Sequence, residues 1–379
     1  RLNRYPIGLV DSDKIRQILN ILFAEDEAFV ASKFPLTEAT IGELAGLTGK
    51  PEPELLDILE SMANKGLVMD LPYNGVTYYL LMPGLIGFME FTFMRNRSDL
   101  PMKKLAELMT EYLYEQGPDG QAKEFFGSKT QLTRALPYKE HIPTHSQITN
   151  YEDARQIIKD ASFTAVTQCY CRHKKAHLDQ TCKKGAPTEE ICMVMGSAAR
   201  FLVRRGFAVE KNTDEMLTIL DTAKSLNLTH VTDNIRNKTS FICNCCHCCC
   251  ELMGGLQMGF SDGMAKTPFL AEVDKAVCDY CGQCFAACNV KCIALDTNTK
   301  GGNKADRKAG IDPLACLGCG ACISACEKGA IAYVPRKGHK RPPKNKGIMF
   351  TKILWEKGRF SAFMTSEMKR KIRKTRRGI

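Results

Sequence analysis

Eight of the nineteen cysteines in this 379-residue chain fall in two copies of one spacing, and no other feature restricts the fold as tightly. The first copy is Cys278-x-x-Cys281-x-x-Cys284-x-x-x-Cys288 and the second is Cys316-x-x-Cys319-x-x-Cys322-x-x-x-Cys326. Gaps of two residues let a tight loop aim successive thiolates at one centre. Zinc is ordinarily served by separated pairs of ligands, and disulfides need an oxidising compartment, so four thiols in close succession point to a polynuclear metal–sulfur centre. So many closely packed free thiols also imply a reducing, anaerobic cytoplasm.

The segment from about Glu272 to Pro335 resembles the bacterial-type dicluster ferredoxin family, through these eight cysteines, the loop glycines Gly282, Gly318 and Gly320, and the closing Ala330-Ile331. The resemblance implies two [4Fe–4S] clusters and electron transfer, with the fourth cysteine of each run serving the other cluster. Cys278, Cys281, Cys284 and Cys326 would then hold one cluster, and Cys316, Cys319, Cys322 and Cys288 the other. Two positions depart from the family: Asn289 and Glu327 stand where proline normally follows the fourth cysteine. Proline there is no ligand, so the departures touch loop shape and solvent access rather than ligation. Cys292, where a small apolar residue is usual, is expected to pack against a cluster without binding it.

The length allows two or three domains, and a hydrophobic content of 44% is enough for real cores. The longest apolar stretch, Tyr78 to Met94, is interrupted by Pro83, Gly84, Gly87 and Glu90 and falls short of a membrane span. Residues 1–82 read as a winged-helix-like domain. A helix begins near Lys14, and a short one over Thr40–Thr48 is followed by another from Pro51 to Lys65 with Gly66 as its cap; a hairpin then turns at Asn74-Gly75. In DNA readers such a second helix enters the major groove, but here its polar face carries Glu52, Glu54, Asp57 and Glu60, which phosphates repel. Residues 83–150 read as a helical connector, helical from Pro83 to Gln147, with a linker around Pro137 and Pro143.

Residues 151–265 are expected to form a mainly helical, cysteine-rich module, with Cys192 at the head of a helical run to Val203. The module contains Cys169, Cys171, Cys182 and Cys192, then Cys243, Cys245, Cys246, Cys248, Cys249 and Cys250. From about Thr167 to Glu251 it resembles a module that precedes dicluster ferredoxin domains in uncharacterised iron–sulfur proteins of anaerobic bacteria. Adjacent cysteines point apart, so the six of the second group cannot all face one centre. One or two additional iron–sulfur clusters, each drawing on both groups, is the expected arrangement; zinc sites and redox-reactive thiols are the alternatives. His247 is a spectator or a cluster neighbour, Arg172 to Lys175 a solvated loop or an offset to cluster charge, and Gly254-Gly255 a place where backbone approaches a cluster.

The ferredoxin-like domain occupies 266–335, and 336–379 is a basic tail. The tail has sixteen Lys or Arg against two acids, +14, so the other 335 residues sum to −3 within a total of +11. Its start is expected to be irregular, and the apolar residues from Ile348 to Met364, set among lysines, suit a partner-binding arm, with peripheral membrane contact second and nucleic acid disfavoured. The fold class expected is thus α+β and multidomain. No Gly-x-Gly-x-x-Gly fingerprint occurs, and no acid–base pair marks a catalytic pocket. The expected function is an electron-transfer subunit, itself non-catalytic, of an anaerobic oxidoreductase whose flavoprotein or metalloenzyme subunits do the chemistry. A redox-sensing transcription regulator, or a thiol/disulfide reductase using the Cys243–Cys250 run, are the rivals.

Overall fold

Ile15, Ile18 and Leu22 recur at helical spacing behind Ser12, whose hydroxyl accepts the Ile15 N–H, and this starts the helix Asp13–Leu22. The computed structural model describes residues 2–114, 120–144, 146, 148–295 and 309–377. Gln147, the expected end of the helical connector, lies outside the described residues. So do the side chains of the terminal basic run from Lys369 to Arg377, apart from Arg370.

The N-terminal unit continues through helix Glu25–Lys33, strand β1 (Ala39–Thr40), helices Ile41–Thr48 and Glu52–Lys65, and strands β2 (Val68–Tyr73) and β3 (Val76–Leu81). The strands pair antiparallel in the order β1-β3-β2. Asn74 and Gly75 both have positive φ (48° and 77°), as a two-residue turn between twisted strands requires. The amphipathic helix Glu52–Lys65 buries Leu55, Ile58, Leu59, Met62 and Ala63, and ends on Gly66 at φ 78°. Its acidic residues stay exposed, although Glu60 pairs with Arg205 from the middle of the chain.

Beyond β3 the chain makes an irregular turn at Gly84–Phe88, where Ile86 sits at φ 53° and ψ 51°. That conformation is strained for a β-branched residue. Glu90 holds the turn: its carboxylate Oε2 accepts the Gly87 N–H at 2.8 Å. Burial pushes the Glu90 carboxyl from its usual 4.5 up to about 7. An acid raised in the folded state stabilises fully below its unfolded pKa, and that stability is lost as pH climbs through the folded value. The stability of the chain should therefore fall between about pH 4.5 and 7 by on the order of 3 kcal/mol from this group. Glu90→Gln should flatten that part of a pH series of denaturant melts; an unchanged slope would exclude Glu90 as its source.

The middle of the chain departs from the sequence expectation. It has helices, but they are organised on a six-stranded antiparallel sheet of order β4-β8-β9-β6-β5-β7. The strands are β4 (Thr133–Ala135), β5 (Thr164–Thr167), β6 (Cys192–Met195), β7 (Ala208–Glu210), β8 (Thr229–Asp233) and β9 (Phe241–Cys245). All residues of β4, β5, β6 and β8 are buried, so no polar alternation betrays them in the sequence. Cys192 thus opens a strand, and the helix follows at Gly196–Arg204. The expected helical connector likewise contributes β4 to this sheet as well as its helices Met102–Tyr114 and Gln121–Phe126.

The last sheet pairs belong to the cysteine repeats. Strand β10 (Phe269–Val273) pairs with β13 (Ile331–Pro335), and β11 (Ile293–Leu295) with β12 (Ala309–Ile311), all antiparallel. The stretch read as a linker fastens this unit to the central sheet. Tyr138 is buried, donates its N–H to the Cys319 carbonyl at 3.0 Å, and donates its hydroxyl to the Leu228 carbonyl at 2.6 Å.

The tail becomes two helices, Lys346–Glu356 and Phe360–Arg377, that turn back onto the first half of the chain. Met349, Ile353 and Leu354 are buried, the first two in the core of the N-terminal unit and its connector. Lys357 and Arg359 both pair with Glu124, at 2.8 and 2.6 Å, and Arg370 pairs with Glu43 at 3.1 Å. The opposite face keeps Trp355, Met364 and Met368 exposed. Among the described residues no helix is long and apolar enough to cross a membrane.

Candidate metal centres

The two cysteine repeats each make a loop followed by a short helix, Gln283–Ala287 and Ala321–Ser324. Gly318 and Gly320 allow the second loop to lie flat on its neighbours. A Cβ on Gly318 would meet the Phe269 carbonyl at 2.1 Å, one on Gly320 the Tyr333 hydroxyl at 2.3 Å, and both have positive φ. Cys278, Cys281, Cys284 and Cys326 line one small cavity. Cys288, Cys316, Cys319 and Cys322 line another. Each cavity therefore takes its fourth cysteine from the other repeat, and each is walled by apolar side chains, which suits a group that must be shielded from water. These donor sets fit a [4Fe–4S] cluster each. The first is the outer one, since Cys281 is exposed.

Cys292 also lines the second cavity, with its Sγ 3.5 Å from that of Cys288. Hydrogen bonding with Cys292 lowers the thiols of Cys288 and Cys316, while that of Cys292 is pushed up. In the contact with Cys288 either thiol can donate to the other, and a hydrogen bond to a ligand sulfur is one way a protein raises a cluster potential.

The ten remaining thiols divide into two sets that cut across their order in the sequence. Cys169 follows β5, Cys192 opens β6, and Cys243 and Cys245 alternate along β9 onto one face. The register Thr167↔Cys192 and Met193↔Ile242 brings these ends of β5, β6 and β9 together. Cys171, on helix Tyr170–Ala176, and Cys250, which caps helix Glu251–Gln257, close the ring. These six cysteines line one small cavity, which Cys246 and Cys249 also border. Cys182, Cys246, Cys248 and Cys249 form the other set, their sulfurs all within 4.8 Å of one another.

Around the six-cysteine cavity the basic residues are buried rather than solvated. Arg172, His173 and Lys174 are 3, 8 and 2% exposed. Lys174 pairs with Glu251, and His173 Nδ1 is 2.9 Å from the Phe93 carbonyl oxygen. Arg172 donates from Nη2 to the Asn244 carbonyl at 2.9 Å, but its buried Nε and Nη1 have no hydrogen-bond partner among the described residues. Burial works against the Arg172 charge, yet the surrounding sulfurs of Cys169, Cys246 and Cys192 outweigh it and raise its pKa. Orphaned cationic donors facing a thiol-lined cavity are what an anionic guest would satisfy. Gly254 and Gly255 serve a different purpose from the one expected. Their missing side chains make room for Tyr114 and Phe126, which a Cβ would meet at 2.7 and 2.2 Å.

Asn289 joins the ferredoxin-like unit to the cysteine run. It is 1% exposed, its Nδ2 donates to the Asn227 carbonyl (2.8 Å) and to Thr229 Oγ1 (3.0 Å), and its Oδ1 accepts the His247 N–H (3.2 Å). Thr229 in turn donates to Cys319 Sγ at 3.4 Å. One covalent step and one hydrogen bond thus separate Cys288 from the backbone between Cys246 and Cys248. A proline at this position would supply none of these bonds. His247 takes part through its backbone, and its ring is not among the grouped metal-ligand atoms. Asn289→Ala should cost on the order of 3 kcal/mol in thermal unfolding of the anaerobic protein, because buried partners lose their bonds. Cluster iron should be unaffected, and a loss of iron would instead make Asn289 part of the cluster shell.

The cysteine spacing found the two ferredoxin-type donor sets, since their ligands lie in local loops. It could not divide the other ten thiols, and it gave no sign of the Asn289 junction beyond the departure from proline. No curated protein and no solved structure matches the chain at a significant level. Residues 277–330 match the family model described as 4Fe-4S dicluster domain, and this C-terminal part of the chain is a dicluster ferredoxin-type iron–sulfur domain.

Proposed function

We propose that the chain is an electron-transfer subunit of an anaerobic oxidoreductase, with three cubane sites in place of the two that the ferredoxin-type domain needs. The observation that carries this reading is the cavity at the end of the central sheet, walled by cysteines as the two ferredoxin-type cavities are. Bound clusters supply one-electron carriers. The protein's part is to space them, exclude water and set their potentials. Arg172 places a buried positive charge at the six-cysteine cavity, the inner site, and Cys292 a thiol beside the Cys288–Cys316–Cys319–Cys322 set, the middle one. The outer site is marked by exposed Cys281, with Val277 and Phe285 46 and 49% exposed beside it, an apolar rim suited to a redox partner.

The N-terminal unit reads as a winged-helix-like docking domain. Its exposed acidic helix disfavours DNA, and Arg204 and Arg205 clamp Asp70 at 2.9 and 3.1 Å, tying it to the middle of the chain. The exposed face of the tail helices, around Trp355 and Met368, suits a partner subunit. An anaerobic reductive titration followed by EPR tests the proposal. About three one-electron equivalents per chain are expected. Uptake of only two, with the signal of one coupled pair, would reduce the chain to its ferredoxin-type domain.

A further inference from the structure

We propose that Cys182, Cys246, Cys248 and Cys249 bind a single tetrahedral divalent cation of the thiophilic class, zinc or ferrous iron, and not an iron–sulfur cluster. The site stands on its own geometry and does not depend on the third cubane. The Cys182 sulfur lies 3.7 Å from that of Cys246 and 3.8 Å from that of Cys248, and Cys248 and Cys249 are 3.8 Å apart. Four sulfurs bound to one ion at about 2.3 Å stand about 3.8 Å apart along the edges of a tetrahedron. A cubane places each thiolate on a separate iron corner, so its ligand sulfurs stand roughly 6 Å apart.

The chain itself supplies the contrast. Among the described residues this is the one group of three or more His, Cys, Asp or Glu ligand atoms lying within 4.8 Å of one another. Cys246 and Cys249 also border the cavity of the six-cysteine set, but among the described residues no three ligand atoms of the other cysteine sets all lie that close together. None of the four sulfurs is joined in a disulfide.

The surroundings fit a tetrathiolate carrying a net charge of −2. The Lys183 N–H donates to Cys248 Sγ at 3.3 Å, and the Lys184 ammonium is held nearby by the carbonyls of Asn227 and Ala287 at 2.9 and 2.8 Å. Cys182 belongs to the stretch between helix Tyr170–Ala176 and β6, which has no helix or strand, whereas the other three ligands lie in the turn after β9. A closed four-cysteine ion would therefore staple that stretch over the Asn289 junction, the usual work of a structural site.

X-ray absorption of the full chain, purified anaerobically, provides a test that needs no variant. Zinc at one per chain, with a shell of four sulfurs and no metal–metal scattering, is the expected result. One mononuclear ferrous ion per chain, seen by Mössbauer spectroscopy as a tetrathiolate site, would equally support the assignment and name the other metal. Cys248→Ser should then lower the content of that ion while leaving acid-labile sulfide unchanged. Loss of about four irons and four sulfides in the variant would overturn the assignment, since that is the content of a cubane. So would wild-type chain with no mononuclear metal by either method.

Discussion

Ending the chain at Asn345 will give an unstable, aggregating protein rather than a soluble chain freed of its partners. Met349, Ile353 and Leu354 are 2, 0 and 3% exposed, and removing the helix that carries them uncovers the apolar surface they fill. Each such side chain contributes roughly 1.5–3 kcal/mol when fully buried, so the three together stabilise on the order of 5 kcal/mol. That is comparable to the whole stability of an ordinary domain. Glu124 would also lose Lys357 and Arg359, its two cationic partners across the tail contact. Soluble yield and thermal unfolding of the truncated chain check the prediction. A truncated protein as stable as the full one would show that the tail adds nothing to the fold and is left for the partner contact its sequence suggests. A cut after Gly358 keeps the first helix and should be far milder.

Replacing Cys169, Cys192 and Cys243 together by alanine will remove the inner cluster and spare the ferredoxin-type pair. Of the six, Cys171, Cys245 and Cys250 then remain, one short of what a cubane takes, and the two other thiols on that cavity, Cys246 and Cys249, are grouped with Cys182. Iron and acid-labile sulfide should each fall by about four per chain, roughly a third of the total. The EPR signal of the coupled pair should persist, because none of its eight ligands is touched. Unchanged iron would mean that the six-cysteine cavity holds no cluster. Loss of every cluster would mean that the ring supports the fold of the whole chain, and comparison with single substitutions such as Cys243→Ala separates that outcome from ligand loss.

What the sequence made legible is what local spacing controls. The ferredoxin-type loops repeat their ligands at intervals of two and three residues, so their chemistry can be read without the fold. Helices such as Glu52–Lys65 are legible because one face alternates at helical spacing and a glycine closes the end. The central sheet was not, because β5, β6 and β8 are short and buried on both faces, which erases the alternation that marks a strand. Nor was the division of the ten middle thiols. It depends on which ends of β5, β6 and β9 lie side by side, and on a turn that gathers the sulfurs of Cys246, Cys248 and Cys249 with that of Cys182. The seat of the tail was hidden for a related reason. Its charge and apolar residues suit a partner-binding arm, and Glu43 and Glu124, which receive part of that charge within the chain, lie on distant elements that only tertiary structure brings there.

The same contrast explains the glycines and the basic cluster. Gly254 and Gly255 follow a cysteine run, yet the groups that forbid a side chain there are Tyr114 and Phe126, more than a hundred residues earlier in the chain. Arg172 to Lys174 look like a solvated loop in sequence, but their helix is packed between the six-cysteine cavity, Phe93 and Glu251. Cations there are held by buried partners, so Arg172→Leu should lower the potential of the inner cluster without lowering the iron content. A potentiometric EPR titration reads both quantities in one sample.

The measurement that bears most directly on the central claim is acid-labile sulfide, with iron, in the full chain purified without oxygen. Sulfide counts clusters alone, since a single tetrathiolate ion carries none. The three cubane sites predict about twelve sulfides per chain, with about twelve cluster irons beside them. A value near eight sulfides, with the coupled-pair spectrum alone, would contradict the account and leave the six-cysteine ring without a cluster.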